Sequence, residues 1–203
     1  MNSSYVRAQH SARSISEARP TGSQLLSGFA VGAVTGLFAT VCSVLGAPGW
    51  YENLVKPMWA PPSWAFVPAQ LGVFALMGVA LSFLQASQLH SERKRVVLTW
   101  FWVQLALLLA WSVAFFTLHS PSWGYGIALT LWCALVALLW TGSRLSRTAF
   151  YFLVPLFLWV TFASSLNFAI LSFNVLRQET AEMDADPRNA NSPIDPSIIV
   201  KKK

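Results

Sequence analysis

The sequence predicts an all-α integral membrane protein: a bundle of five transmembrane helices with a structured loop between the first and the second. Three observations carry that expectation. Of the 203 residues, 55% are hydrophobic and only 11% charged, against roughly a quarter charged in ordinary soluble domains. Five apolar runs, at about 24–46, 67–89, 96–118, 123–143 and 149–173, each approach the roughly 20 residues a helix needs to cross the hydrocarbon core, and none contains Asp, Glu, Lys or Arg. No strand pattern competes with helices, and an open sheet in lipid would leave its backbone groups unsatisfied.

The connecting segments are too short to fold as a second domain. The chain therefore divides into an N-terminal tail (1–22), a membrane domain (23–176) and a polar C-terminal tail (177–203). The first 20 residues are rich in Ser and Arg, with Glu17 as the sole acid. They read as a disordered cytoplasmic tail in preference to a transit peptide. After Arg177 the sequence turns to Glu, Asp, Asn and Pro, with too little apolar surface to fold.

The net charge of +6 is unevenly placed. With five spans, the N-terminal side collects Arg7, Arg13, Arg19, Arg93, Lys94, Arg95, Arg144 and Arg147. The opposite side holds Lys56, Arg177 and Arg188, with Lys201, Lys202 and Lys203 farther away. Cytoplasmic segments carry the Lys/Arg excess, so the N-terminus is expected inside, in a bacterial envelope membrane or alternatively a mitochondrial one. The basic balance thus concerns topology and lipid headgroups; the partner it implies is the bilayer, not nucleic acid. Cys42 and Cys133 fall inside spans, where a thiol packs as a small hydrophobe, and neither a disulfide nor a metal site is expected.

In the first span Gly28, Gly32 and Gly36 recur every fourth residue, followed by Thr40. Such a seam lets another helix backbone approach closely. It serves either a homodimer or packing within one chain.

The loop GWYENLVKPMWAPPSWAF (49–66) has an unusual content for a simple connection. Pro57, Pro61 and Pro62 lack a backbone donor and restrict the residue before them, which makes it stiff. Trp50, Tyr51, Trp59 and Trp64 offer rings and Lys56 a cation. This describes a lid over one end of the bundle, or an aromatic loop lying in the headgroup layer.

The later spans carry uncharged polarity and rings. Gln104, Leu108, Trp111 and Phe115 share one face of the third helix, and Trp159, Phe162, Ala163, Leu166, Asn167 and Ile170 one face of the fifth. Each stripe joins an indole to an amide, as core packing or as the lining of a site. Trp64 and Trp100, near span ends, read as interfacial anchors. The absence of ionisable groups in the spans points away from proton relays and ion-coupled pumping.

The run Trp50-Tyr51-x2-Leu54-x-Lys56-Pro57-x-Trp59-x-Pro61-Pro62, followed by Phe74, Met77 and Gly78, resembles the tryptophan-rich sensory protein/translocator protein family. The stretches QLALLLAWSVAFF (104–116) and PLFLWVTFASSLNF (155–168) are similar to its third- and fifth-helix motifs. The resemblance covers about residues 24–176. It implies a five-helix bundle, often dimeric, whose cavity opens under the first long loop and binds porphyrins, other tetrapyrroles and sterols. By that resemblance Tyr51, Pro61, Phe74, Trp111, Trp159, Phe162, Ala163 and Asn167 line or cap the cavity. The residues themselves add Lys56 at the mouth, where it would attract propionates, together with Trp59, Gln70, Gln104 and Phe115. No cofactor is expected to be obligatory; a porphyrin or haem-type tetrapyrrole would be the ligand.

Three positions depart from the family pattern: Gln70 where the second helix has a tryptophan, Leu108 where the third has an asparagine, and Leu156 where the fifth has a tyrosine. Light-dependent porphyrin breakdown in some members involves tryptophans of the second and fifth helices, and only Trp159 remains here. The late fifth-helix sterol pattern lacks its tyrosine, reading Leu171, Phe173, Arg177. The expected function is thus a tetrapyrrole-binding receptor or carrier. The alternatives are a structural or regulatory partner of another membrane protein and, less favoured, a porphyrin-degrading enzyme.

Overall fold

The computed structural model describes residues 19–87 and 91–185. Among them are five helices long and apolar enough to cross a membrane, and the rest is one helical turn, a short 3-10 turn and loops. The spans are α1 (Gly22–Gly46), α2 (Phe66–Ala86), α3 (Ser91–Ser112), α4 (Pro121–Gly142) and α5 (Arg147–Ala185).

Local chemistry sets several ends. Thr21 opens α1 with a capping box: its Oγ1 accepts the Gln24 N–H, and Gln24 Oε1 accepts the Thr21 N–H at 2.8 Å. Ser120 caps α4, and Pro121 stands in the first turn, where its missing donor has no intrahelical partner to lose. α3 passes into a π turn over Val113–Thr117, a widening that single turns adopt inside α-helices.

α5 continues through residues 177–185, where a polar tail was expected to begin. Arg177, Gln178, Glu179, Ala181, Glu182 and Met183 are good helix formers, and loss of hydropathy marks the end of the span, not of the helix. Residues 1–18 and 186–203, the bulk of the two tails, lie outside the described residues.

Around the bundle the helices follow the order α1, α2, α5, α4, α3, and the π turn of α3 closes the ring against α1. The α1–α2 contact is the most extensive, and it settles the glycine seam. Gly28, Gly32 and Gly36 are buried against α2 of the same chain. A Cβ at Gly28 would overlap the Gly78 carbonyl oxygen, one at Gly32 would lie 2.7 Å from the Phe74 oxygen, and one at Gly36 3.2 Å from Phe74 Cβ. Of the two uses open from sequence, packing within one chain is the one found, and the homodimer assignment of these glycines is corrected accordingly. Spacing shows that a backbone can come close, not whose backbone it is.

The interior has two parts. One is aliphatic, built from Leu81, Leu84, Leu105, Leu135, Leu138, Leu153 and their neighbours. The other lies under the 49–66 loop and is dominated by rings, among them Tyr51, Phe66, Trp111, Phe115 and Phe116.

Candidate functional site: a ring-filled chamber beneath the first loop

The loop is a built structure. Gly49, at φ 74°, turns the chain into the single helical turn Trp50–Asn53, a conformation that suits glycine because it has no Cβ. Glu52 accepts the Gly49 N–H at 3.3 Å and the Ser63 hydroxyl at 2.9 Å, pinning both ends of the loop. Lys56 Nζ donates to the carbonyls of Tyr51 (2.7 Å) and Glu52 (3.2 Å) and lies 4.4 Å from the Tyr51 ring centre. The expected mouth cation therefore closes the helical turn with its amine.

Tyr51 is buried and donates its hydroxyl to the Pro61 carbonyl at 3.0 Å. Burial pushes its pKa up to about 12, because the phenolate would lose its hydration there. Asn174, near the end of the α5 span, binds the loop from below. Its Oδ1 accepts the Val55 N–H (3.2 Å), while Nδ2 donates to the Val55 carbonyl (3.0 Å) and to Ile170 (2.7 Å). Both backbone groups of one loop residue are thus held by a single side chain. On the far side the His119 ring stacks on Trp50 at 4.8 Å, and its Nε2 lies 3.0 Å from the Gly46 carbonyl oxygen.

Beneath this lid the rings pack on one another. Tyr51 meets Phe66 edge-on at 5.2 Å, Phe66 meets Phe116 and Trp159, and Trp111 stacks on Phe115 at 5.3 Å. Trp159 lies beside Phe162, which Trp59 of the loop covers edge-on. Offset and edge-to-face contacts are the favoured geometries for such quadrupolar rings. The space left between Trp111, Trp159, Leu108, Ala128, Ala163 and Ser164 is about 10 Å³, room for one water at most. The chamber is filled by its own side chains. Ser164 Oγ on its wall has no hydrogen-bond partner.

Of the residues expected at the site, Tyr51, Trp59, Pro61, Trp111, Phe115, Trp159, Phe162 and Ala163 come together here. Others stand apart. Phe74 packs in the α1–α2 seam against Gly36. Gln70 accepts the Ser43 hydroxyl at 3.0 Å while its Nε2 stays unpartnered. Gln104 is fully buried without a partner for either amide atom and does not line the small space. Asn167 serves α4: in the amide orientation that satisfies both groups, it donates to the Pro121 carbonyl (2.9 Å) and accepts the Tyr125 N–H (3.1 Å). Of the departures from the family pattern, Leu108 lines the space and Leu156 is buried in the aliphatic core.

Sequence reasoning missed Phe66, which touches three rings of the chamber, and the roles of Asn174, Ser164 and His119. A Phe at the end of the proline-rich run was a usable signal for the first. Asn174 and His119 find Val55 and Gly46 far away in the chain, and Ser164 has no partner at all, so spacing gave no signal for these three.

The profile of the TspO/MBR family matches residues 25–172. Tryptophan-rich protein TspO of Chlorobaculum tepidum is 39% identical over 128 residues, covering 63% of this chain and 81% of that protein. The tryptophan-rich sensory protein of Cereibacter sphaeroides is 31% identical over 147 residues, 72% of this chain and 90% of that protein. Translocator protein of Sus scrofa is 32% identical over 156 residues, 70% and 86% respectively. With five apolar helices in the described residues and a match over most of its length, the chain is an integral membrane protein that belongs to the TspO/MBR family.

Proposed function

We propose that this protein is a membrane receptor that admits a flat hydrophobic ligand beneath the 49–66 lid, a porphyrin or other tetrapyrrole in first place and a sterol in second. The observation that carries the reading is the convergence of rings from the loop, α2, α3 and α5 on a floor of small side chains, Ala128, Ala163 and Ser164. A macrocycle needs a pocket of several hundred Å³, so entry requires the lid to lift and Trp59, Trp159 and Phe162 to move aside. The ligand then replaces ring-on-ring contacts by contacts of the same kind. Ser164 gains a partner in the process.

Lifting the lid breaks the Asn174–Val55 bonds and couples occupancy to a change on the membrane surface, which suits sensing. Two relatives carry the words "sensory" and "translocator" in their names. The tetrapyrrole is cargo or signal in this reading, not a resident cofactor. The charge bias supports an N-terminus on the cytoplasmic side; the bacterial envelope membrane is part of the same proposal, with a mitochondrial membrane as the alternative. A homodimer would use outward apolar residues, of which α1 carries Leu26, Phe29 and Leu37, and not the glycines, which are inside.

The filled chamber also favours a second reading, a scaffold for another membrane protein whose cavity no longer opens. Titration of the purified protein with protoporphyrin IX in the dark, read by the Soret band and tryptophan quenching, separates the two. Saturable one-site binding that weakens about tenfold in Trp159→Leu supports the receptor, a loss of the size expected for one buried aromatic face. Absence of saturable binding supports the scaffold. Light-dependent loss of the Soret band beyond a free-porphyrin control would indicate breakdown.

A further inference from the structure

The end of the bundle opposite the lid gathers two helix junctions, α2–α3 and α4–α5. The Ser87 hydroxyl donates to the Leu145 carbonyl at 3.3 Å, joining the segment after α2 to the α4–α5 turn. Val97 of α3 lies against Gly142 of α4, and Val97, Leu145 and Ala149 are buried in one core. Arg93, Arg95, Arg144 and Arg147 are therefore carried on adjoining elements, and all four are exposed. Lys94, between the first two, has its amine committed to the carbonyls of Gln85 and Ser87 at the end of α2. No carboxylate among the described residues pairs with the four guanidinium groups.

Arg144 is positioned more closely than the rest. Its guanidinium lies 5.1 Å from the centre of the Trp140 ring, an arrangement that holds the planar fork by cation–π attraction while leaving its N–H edges free. Trp140 is 67% exposed on α4, as expected of an indole at the level of the headgroups. Val136, Cys133 and Leu129 are exposed on the same side of α4, at successive steps of four, three and four residues back from Trp140 along one helix face. A cation pair thus stands at the head of an apolar track. Ser146 already caps the first turn of α5 by accepting the Ala149 N–H at 3.2 Å, so recognition falls to the arginines.

We propose that Arg144 and Arg147 hold the phosphate of one anionic phospholipid, whose acyl chain runs down the Trp140, Val136, Cys133 and Leu129 face of α4. Arg93 and Arg95 add field from the neighbouring end of α3. Guanidinium groups match phosphate oxygens in pairs, and a zwitterionic headgroup offers no net charge to attract them. The site is independent of the ring chamber and of any ligand there.

The test is native mass spectrometry of the full chain in detergent, titrated in parallel with dioleoyl-phosphatidylglycerol, dioleoyl-phosphatidylcholine and inorganic phosphate. Phosphatidylglycerol is expected to be retained in preference, by about five-fold for each guanidinium. The preference should disappear in Arg144→Gln/Arg147→Gln, fall in Trp140→Leu at unchanged charge, and survive millimolar phosphate. Circular dichroism checks that each variant keeps its helix content. Equal retention of the two lipids, an undiminished preference in the double variant, or displacement of the lipid by inorganic phosphate would overturn the proposal.

Discussion

Around Leu81, Leu135 and Leu153 the bundle interior is made of branched aliphatic side chains, while around Phe66, Trp111 and Trp159 it is made of rings. The two regions are filled in different ways. Aliphatic chains interlock in three dimensions, and removing one leaves a cavity that nothing else fits. Rings meet through planar faces and edges, and another planar molecule can supply the same surfaces. One half is a scaffold with a fixed content; the other, in the proposed function, is the half whose content a ligand would replace.

The sharpest way to break this contrast is to attack the scaffold. Gly28→Leu puts a side chain into the Gly78 carbonyl, and it should cost about 3 kcal/mol or more by overpacking. A fall of the thermal midpoint in detergent measures it; an unchanged midpoint would mean that α1 is not bound as described. In the ring half, Trp159→Leu should leave that midpoint within a few degrees while weakening porphyrin binding about tenfold. Equal damage to folding by both substitutions would abolish the distinction between the halves.

The remaining expectations are smaller. Asn174→Ala removes both bonds to Val55, a loss of about 2 kcal/mol at the lid. Hydrogen exchange at the Val55 amide should accelerate, and porphyrin association with it. Gln104→Leu replaces a buried amide without partners by a side chain that suits the aliphatic half. Stability should hold or rise by about 1 kcal/mol. Tyr51 has its pKa raised from 10.0 to about 12, so the folded state holds the proton more tightly than the unfolded one. Its stabilising effect is complete below pH 10 and is lost as pH rises from 10 to 12. An alkaline step in lid exchange over that window, absent in Tyr51→Phe, would show it.

Much of this was legible in the residues. Uncharged runs gave the spans, and Pro57, Pro61 and Pro62 gave a loop that is not one continuous helix. The two stripes on α3 and α5 correctly marked faces that turn inward. What remained hidden was the identity of partners. Periodicity places Asn167 on an inward face, yet its amide holds the first turn of α4. The four-residue spacing of Gly28, Gly32 and Gly36 fits a neighbour in the same chain or another equally well. Asn174 looked like one more polar residue near a span end, because Val55 is 119 positions away. Nor does spacing report whether rings line a chamber or fill it.

The ring order has a consequence for how the molecule comes into being. α5, the last span to leave the ribosome, stands between α2 and α4. Without it, the inner faces of α2 and α4 would have no helix between them. The same last segment carries Trp159, Phe162 and Asn174, so chamber, lid clasp and completed bundle all depend on one helix.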